Sequence, residues 1–212
     1  MRVGLFGGTF NPIHFGHLRA AEEVREALAL DLVYFVPAAV PPHKSAQGLA
    51  PPEHRLAMVR LATKGNRHFM VSDVEIRRAG RSYTIDTVRH FLSTLRAPST
   101  LFLMMGSDAF ADLETWRECD ELVRLSSIVV HARQPANGNE PPRISLAALK
   151  RFGYIEKDDH YVHPGGQTLS FLATTIFPVS ATLIRDKLHH QRSVRYLMPG
   201  DVVDYIQRHG LY

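Results

Sequence analysis

From residue 3 to residue 17 the chain reads V-G-L-F-G-G-T-F-N-P-I-H-F-G-H. The apolar run at residues 3–6 predicts a buried strand, and the glycines and the Asn-Pro step after it predict a tight turn. From His17 onward, a helical spacing places four apolar side chains on one face, at Leu18, Ala21, Val24 and Leu28. This stretch therefore predicts a strand, a turn and a helix in succession.

The same alternation continues along the chain. Further strands are predicted at residues 32–36, 69–72, 100–105 and 127–130, and helices at residues 52–63 and 84–95. After an extended run at residues 169–177, two C-terminal helices are predicted, from Ser180 and at about residues 199–209. Strands that alternate with helices in this way form parallel βαβ units with right-handed crossovers. The sequence therefore predicts a doubly wound, Rossmann-like α/β fold, a parallel sheet with helices on both faces.

Two stretches interrupt this alternation. Residues 37–52 contain five prolines and predict an exposed loop, because proline cannot donate a backbone hydrogen bond. Residues 134–167 hold proline and glycine clusters around a short helical patch. They predict a surface excursion from a single domain that spans residues 1–212.

Composition narrows the class of protein. The single cysteine, Cys119, excludes an internal disulfide framework and a Cys-rich zinc site, and it favours a reducing cytoplasm. The chain has no run of about 18 apolar residues and no signal-peptide pattern, so we expect neither export nor a membrane partner. The 25 basic residues are mixed with 21 acidic ones and form no dense basic tract, so this modest excess fits an anionic small substrate as well as nucleic acid. Oligomeric state has no signal in the sequence.

The turn after the first strand lacks both the G-x-G-x-x-G fingerprint and the lysine-bearing P-loop. Gly7 and Gly8 let the backbone approach a ligand, and the free N–H groups at the start of the next helix favour an anion such as phosphate. His14 and His17 could donate N–H bonds to phosphate oxygens there. The alternatives are a structural turn with capping histidines and a metal site, although no nearby residue supplies a third zinc ligand.

A second candidate anion site lies near the end of the chain, in V-S-A-T-L-I-R at residues 179–185. Ser180 is predicted to cap a helix whose second turn carries Arg185. Alone this pattern is weak, because serine is a common cap and a helical arginine is usually a solvated surface charge.

Both stretches resemble signatures of the nucleotidylyltransferase α/β-phosphodiesterase superfamily. Residues 9–17 resemble its H-x-G-H segment and residues 180–185 its S-x-T-x-x-R segment, with Ala181 where serine is often found. The resemblance implies that His14, His17 and Arg185 are catalytic. It implies ATP-binding roles for Gly7, Gly8, Thr9, Phe10, Gly106, Asp108, Ser180 and Thr182.

The middle of the chain resembles the bacterial nicotinate mononucleotide adenylyltransferases, in S-Y-T-I-D-T at residues 82–87, G-S-D at residues 106–108 and Trp116. The resemblance implies that the backbone around Tyr83 and Thr84 holds the pyridine carboxylate and that Trp116 stacks on the ring. Exposed N–H groups can select a carboxylate, and an indole offers a flat partner to a cationic ring. Without the resemblance, Trp116 would equally be a core or lid aromatic.

Three further residues carry weaker expectations. The resemblance implies phosphate contacts for Lys44 and Arg133, and the alternative for Lys44 is an exposed loop lysine. Asp108 follows a predicted strand at the edge where open α/β sheets bind ligands. It could contact a ribose hydroxyl or a metal-bound water, or simply cap the next helix.

The resemblance implies an enzyme of NAD biosynthesis that transfers the adenylyl group of ATP to nicotinate mononucleotide. The phosphate nucleophile is already ionised near neutral pH, so alignment and charge stabilisation take the place of a strong base. No carboxylate cluster predicts a metal site built by the protein, so we expect Mg²⁺ to be carried mainly by the ATP phosphates. Ser180 and Cys119 match no nucleophile motif, which argues against a covalent intermediate.

Other functions stay open at this point. A sister adenylyl- or cytidylyltransferase would act on phosphopantetheine or a polyol phosphate, although Tyr83, Thr84 and Trp116 argue against it. Nicotinamide mononucleotide could serve as acceptor, and the sequence does not give the preference. A silent nucleotide sensor or a nucleic-acid-binding module could keep the fold, but the two intact signatures and the lack of a basic-aromatic stripe argue against them.

Overall fold

The computed structural model describes residues 1–42, 48–78, 80–133, 146–158 and 160–212. Its strands are β1 (Arg2–Gly8), β2 (Leu32–Pro37), β3 (Phe69–Val71), β4 (Thr100–Gly106), β5 (Ser127–Arg133), β6 (Ile155–Lys157), β7 (His160–Val162) and β8 (Thr168–Thr174). They form one sheet in the order β3-β2-β1-β4-β5-β8-β7-β6. The first six strands in this order are parallel, whereas β7 and β6 pair antiparallel at the far edge.

Helices lie between the strands, and two more follow the last strand. They are α1 (Phe15–Ala27), α2 (Pro52–Thr63), α3 (Val74–Arg78), α4 (Thr84–Thr94), α5 (Ser107–Ala111), α6 (Cys119–Leu125), α7 (Leu146–Arg151), α8 (Ala181–His189) and α9 (Gly200–His209). A single 3₁₀ turn at Leu113–Thr115 follows α5. All strands and helices with a clear apolar period in the sequence are present, and the unpredicted helices α3, α5 and α6 are at most seven residues long.

Strand β1 shows why the sheet is covered on both faces. Val3 and Leu5 pack in one core cluster with Ile85 of α4, whereas Phe6 packs in the other cluster with Val24 of α1. All five side chains are at most 5% exposed. Alternate residues of one strand therefore bury against helices on opposite faces, as the strand period requires. The predicted doubly wound, Rossmann-like α/β fold is confirmed.

The order of strands reverses beside β1. The chain lays β2 and β3 on one side of β1 and then crosses to place β4 on the other side. In open α/β sheets, ligands bind in the crevice outside the carboxyl ends of the strands at such a switch point. Here that crevice lies between Gly8, at the end of β1, and Gly106, at the end of β4.

Part of the predicted surface excursion belongs to the sheet. Its residues 134–145 lie outside the described residues, but β6 and β7 extend the sheet beyond β8. Phe152 and Tyr154 are 6% and 7% exposed and pack in the core cluster that contains Val3. Both strands are three residues long and lack buried residues, so no alternating pattern predicted them. The single domain over residues 1–212 stays a prediction.

Two further findings concern the single cysteine and the length and apolar character of the helices. Cys119 is a buried free thiol at the start of α6. None of the described helices is both long enough and apolar enough to cross a membrane.

Candidate active site

Two cavities meet at the carboxyl ends of β1 and β4. The large cavity has a volume of about 760 Å³ and the small cavity one of about 250 Å³. They share a wall made of Phe6, Gly7, Gly8, Thr9 and Gly106. The candidate site is therefore a crevice with two compartments, joined at the turn that follows β1.

The large cavity brings together the two signature stretches. Besides the shared wall, its lining contains seven of the residues predicted for ATP or catalysis: Phe10, His14, His17, Asp108, Ser180, Thr182 and Arg185. Helices α1 and α8 both begin at this cavity, with His14 and Ser180 as their N-cap residues. Two helix starts, imidazoles and a guanidinium around one space favour a polyanion such as a triphosphate.

The histidine pair has a fixed mutual orientation. The rings of His14 and His17 stack with centroids 3.7 Å apart and planes 25° apart. The backbone N–H of His14 donates to Nδ1 of His17 over 3.2 Å. Because Nδ1 accepts this bond, a neutral His17 ring carries its proton on Nε2 and can donate from that atom. The local fold thus sets the tautomer that a phosphate-binding histidine needs.

The two glycines of the turn have different surroundings. A Cβ placed on Gly7 would meet no atom of the described residues within 4 Å, so a side chain there would project into the cavities. A Cβ on Gly8 would lie 2.9 Å from the ring of Phe10. Phe10 has a left-handed backbone with φ 47° and is 2% exposed. Gly7 therefore leaves space for a ligand. Gly8 lets the backbone pack closely on the buried Phe10 ring, which supports the turn from the core.

The second signature is anchored on the first. Ser180 caps α8 as predicted, because its Oγ accepts a bond from the N–H of Leu183 over 3.1 Å. One turn later, Nη1 of Arg185 donates to the backbone carbonyl of Asn11 over 2.8 Å. Nη2 of Arg185 lies 3.4 Å from the hydroxyl of Thr182. Arg185 is therefore fixed at the edge of the large cavity by the turn after β1.

Asn11 links the turn after β1 to residues 48–50 and to Tyr212, in addition to the bond that its carbonyl accepts from Arg185. The sequence did not predict this role of Asn11. Its amide nitrogen donates to the carbonyl of Gly48 over 2.8 Å, and its Oδ1 accepts from the N–H of Ala50 over 2.9 Å. Oδ1 also accepts from the hydroxyl of Tyr212 over 2.7 Å. Burial raises the pKa of Tyr212 above its ordinary value, so the phenol stays protonated and remains a donor.

Arg55 of α2 supports the same turn from inside the protein. It is 1% exposed, and its guanidinium donates hydrogen bonds to four backbone carbonyls. These carbonyls belong to Thr9 at 2.8 Å, Ala38 at 2.6 Å, Ala39 at 2.9 Å and Ala50 at 2.9 Å. The buried charge is thereby satisfied, although burial lowers its pKa. Arg55 holds together the turn after β1 and both ends of the loop after β2.

The small cavity contains three of the residues predicted to bind the acceptor. Tyr83, Thr84 and Trp116 line it together with apolar side chains of β4. Helix α4 begins at Thr84 with Tyr83 as its N-cap residue, so the positive end of the helix lies at this cavity. The indole and the helix start therefore lie in one compartment, which suits a flat ring that bears an anionic group.

Glu75 also lines the small cavity and was not predicted. It is 7% exposed, and its Oε1 accepts from the hydroxyl of Thr87 over 2.6 Å. Burial raises the pKa of the Glu75 carboxyl, while hydrogen bonds from Thr87 and Ser82 and the charge of Arg78 act in the opposite direction. Because Ser82 also accepts from the N–H of Ala39, this cluster ties α3 and α4 to the loop after β2.

The remaining predicted residues occupy three kinds of place. Asp108 is exposed in the first turn of α5 at the large cavity, and Gly106, not Asp108, is the N-cap residue. Arg133 is the last residue of β5, where it pairs in register with Thr174. Lys44 lies outside the described residues.

The residues that sequence analysis missed share a physical reason. Arg55 is an arginine on a helix, and such residues are usually solvated. Asn11 was interpreted only as part of a turn, and Tyr212 follows the last periodic helix. His131 lines the large cavity near the end of β5. Its position two residues before the predicted Arg133 was the one feature of the sequence that indicated a place in the site.

The site offers little for a metal ion held by the protein alone. Over the described parts of the chain, no group of three or more His, Cys, Asp or Glu residues is arranged to hold one. Asp108 is the one carboxylate among the described residues that line the large cavity. This donor set fits a cation that shares most of its coordination with a polyphosphate and water.

Comparison with known proteins agrees with this geometry. The family model described as cytidylyltransferase-like matches residues 5–187, which include both signature stretches. A Geobacter metallireducens protein named "Probable nicotinate-nucleotide adenylyltransferase" is 43% identical over 213 residues, covering 100% of this chain and 98% of the relative. A Trichlorobacter lovleyi protein of the same name is 41% identical over 213 residues, with 100% and 99% covered.

Solved structures show the same fold. The Plasmodium falciparum nicotinic acid mononucleotide adenylyltransferase complexed with NaAD matches with a TM-score of 0.72 at 18% identity, covering 100% of this chain and 97% of that one. The same protein complexed with APC matches with a TM-score of 0.69 at 17% identity, with 100% and 96% covered.

Proposed function

The chain belongs to the cytidylyltransferase-like family, and we propose that it transfers the adenylyl group of ATP to nicotinate mononucleotide, which yields nicotinate adenine dinucleotide and pyrophosphate. The family predicted from residues 82–87 and Trp116 is confirmed by the relatives named above. The observation that carries the proposal is the crevice with two compartments that share one wall. It can hold two substrates with their reacting groups at the shared wall.

ATP is assigned to the large cavity. His17 would donate from Nε2 to a phosphate oxygen, and Arg185 and the start of α8 would face the β- and γ-phosphates. This assignment is supported by the fixed tautomer of His17 and by the anchoring of Arg185 on the turn. Gly7 would let the reacting phosphates approach the backbone, since no side chain fills that space.

Nicotinate mononucleotide is assigned to the small cavity. The pyridine ring would stack on Trp116, and its carboxylate would lie at the start of α4 near Tyr83 and Thr84. The shared location of these residues in one cavity of about 250 Å³ supports the assignment. Phosphate contacts by Lys44 and Arg133 remain part of the proposal.

The reaction itself requires alignment rather than a protein nucleophile. An oxygen of the 5′-phosphate of the mononucleotide attacks the α-phosphorus of ATP and forms a new P–O bond. The bond from the α-phosphorus to the bridging oxygen breaks in line, and pyrophosphate leaves with that electron pair. The nucleophile is already ionised, so positioned donors such as His14, His17 and Arg185 supply the stabilisation of developing charge.

A divalent cation completes the proposal. Mg²⁺ bound to the triphosphate would neutralise part of its charge and favour departure of pyrophosphate. Asp108 would orient a water of that cation or accept from a ribose hydroxyl, and its position in the lining of the large cavity supports either role. The donor set of the large cavity fits this shared coordination.

The test is a direct assay. Purified protein is incubated with ATP, Mg²⁺ and one acceptor, and pyrophosphate and dinucleotide are measured by chromatography. Nicotinate mononucleotide is compared with nicotinamide mononucleotide, phosphopantetheine and glycerol phosphate, and ATP with CTP. Dinucleotide should form only when ATP and a pyridine mononucleotide are the substrates, and not with CTP or the other acceptors. Turnover of phosphopantetheine or glycerol phosphate in its place would overturn the proposal.

A further inference from the structure

The small cavity has a charged residue at its mouth that the reaction does not require. Arg117 lines this cavity beside Trp116, with 53% of its side chain exposed. Under the proposed function, the acid and amide forms of the acceptor differ at one substituent, a carboxylate in place of a neutral carboxamide. A positive charge near that substituent would distinguish two molecules of almost the same shape.

Arg117 is placed against the start of α4. Its guanidinium carbon lies 4.9 Å from the centroid of the Tyr83 ring. Tyr83 is the N-cap residue of α4, where the partial positive charge of the helix lies. The full charge of Arg117 and the partial charge of the helix therefore lie on the same side of the cavity, and both favour an anion.

A chain of ion pairs holds Arg117 in this position. Nε of Arg117 lies 3.1 Å from Oε1 of Glu118, and Oε2 of Glu118 lies 2.5 Å from Nη2 of Arg89 on α4. Arg89 also pairs with Glu121 of α6 at 2.5 Å. Glu118, Glu121 and Asp86, which lies 3.8 Å from Arg89, balance the charges of the two arginines, but Arg117 lines the small cavity and none of these carboxylates does. Because Arg89 lies on α4, Arg117 is linked to this helix in two ways, through the ion pairs and through its contact with the Tyr83 ring.

The other charged residue of the lining does not offset Arg117. The carboxyl of Glu75 is 7% exposed, accepts from Thr87 over 2.6 Å and interacts with Arg78. Its interactions are therefore directed into the protein. Arg117 is the one basic side chain among the described residues that line the small cavity.

We propose that Arg117 determines acceptor specificity: its guanidinium, held between Glu118 and the Tyr83 ring, makes the small cavity prefer a pyridine carboxylate over a carboxamide. This inference rests on the proposed function and extends it. With an effective dielectric constant between that of a protein surface and water, one charge a few ångströms from the substituent would change the preference by about tenfold. Arg117 contributes through the binding of the acceptor and not through the chemical step.

The test compares both acceptors in three variants. Arg117→Gln removes the charge, Arg117→Lys keeps it, and Arg124→Gln removes the charge of an exposed arginine on α6 that lines neither cavity. The readout is the ratio of kcat/KM for nicotinate mononucleotide to kcat/KM for nicotinamide mononucleotide. Arg117→Gln should lower this ratio about tenfold through the KM of the acid, while Arg117→Lys keeps most of it and Arg124→Gln keeps all of it.

Several outcomes would overturn this inference. If Arg117→Gln impairs both acceptors equally, Arg117 only supports Trp116 and does not select the substituent. An unchanged ratio, or a native protein without preference for the acid, leaves no discrimination for Arg117 to supply. Arg117→Glu gives a second check, because it should shift the preference further toward the amide. Absence of dinucleotide from either acceptor in the native protein would instead reject the proposed function itself.

Discussion

The guanidinium of Arg185 donates to the backbone carbonyl of Asn11 over 2.8 Å, across 174 residues of chain. The bond joins α8 to the turn after β1. The two signature stretches therefore form one preassembled unit around the large cavity. Such preorganisation is what charge stabilisation in a transition state requires, because the donors need not move when charge develops.

Alanine at the two glycines of the turn should affect different properties, the binding of ATP at Gly7 and the stability of the fold at Gly8. Gly7→Ala directs a methyl group into the shared wall of the cavities, so it should raise the KM of ATP at least tenfold, with the free energy of unfolding changed by about 0.5 kcal/mol or less. Gly8→Ala overpacks Phe10 and should cost about 1–3 kcal/mol of stability. Urea unfolding and steady-state kinetics measure both. A destabilised Gly7→Ala with normal KM would contradict the description of this wall.

Removal of the Tyr212 hydroxyl should loosen the turn. Tyr212→Phe deletes the bond to Oδ1 of Asn11 and should cost about 1 kcal/mol of stability, with a lower kcat because the turn leads into the helix start that holds His14 and His17. Tyr196→Phe is the matched control, since Tyr196 is 84% exposed. Urea unfolding of both variants gives the difference. Equal stabilities and equal rates would show that the contact has no role.

Arg55 should be far more important for stability than another arginine of the same helix. Arg55→Met leaves four backbone carbonyls without their donor, so a loss of about 3 kcal/mol or more is expected. Arg60→Met on α2 removes a side chain that is 58% exposed and should change stability by about 0.5 kcal/mol or less. Denaturant unfolding distinguishes the two. Similar losses in both variants would refute the role assigned to Arg55.

Glu75 should make stability depend on pH. Because burial raises its pKa in the folded state, its carboxyl favours folding while protonated and loses that contribution as the pH rises through the folded pKa. Glu75→Gln cannot ionise. The stability of the native protein relative to this variant should therefore fall as the pH increases above the ordinary glutamate range. Melting temperatures across this range measure it, and a constant difference would show that the carboxyl does not titrate in that interval.

The fold was largely predictable because its signals are local. The strands from residue 3 to residue 130 and helices such as α2 and α4 have apolar periods that match one kind of element. Strands β6 and β7 have no such period, since each is three residues long and neither contains a buried residue. They are ordered by pairing, β7 with β8 and β6 with β7. Short helices such as α5 follow from the path of the chain and not from their composition.

The site was predictable where a motif carries the chemistry. His14, His17, Ser180 and Arg185 gather in one cavity, as the two signatures predicted. The supporting residues were not predictable, because their importance depends on contacts between distant segments. Arg55 resembles any helical arginine until its four carbonyl partners are seen, and Asn11 resembles any turn residue.

The most direct test of the account is the turnover number of His17→Ala for dinucleotide formation from ATP and nicotinate mononucleotide. Under the proposed function, His17 stabilises charge on the transferred phosphate and the acceptor binds in the other cavity. The value of kcat should therefore fall by about two to four orders of magnitude while the KM of the acceptor stays nearly unchanged. His90→Ala, which changes an exposed residue outside both cavities, should keep normal kinetics. Near-normal turnover of folded His17→Ala would contradict the assignment of the large cavity to phosphate transfer.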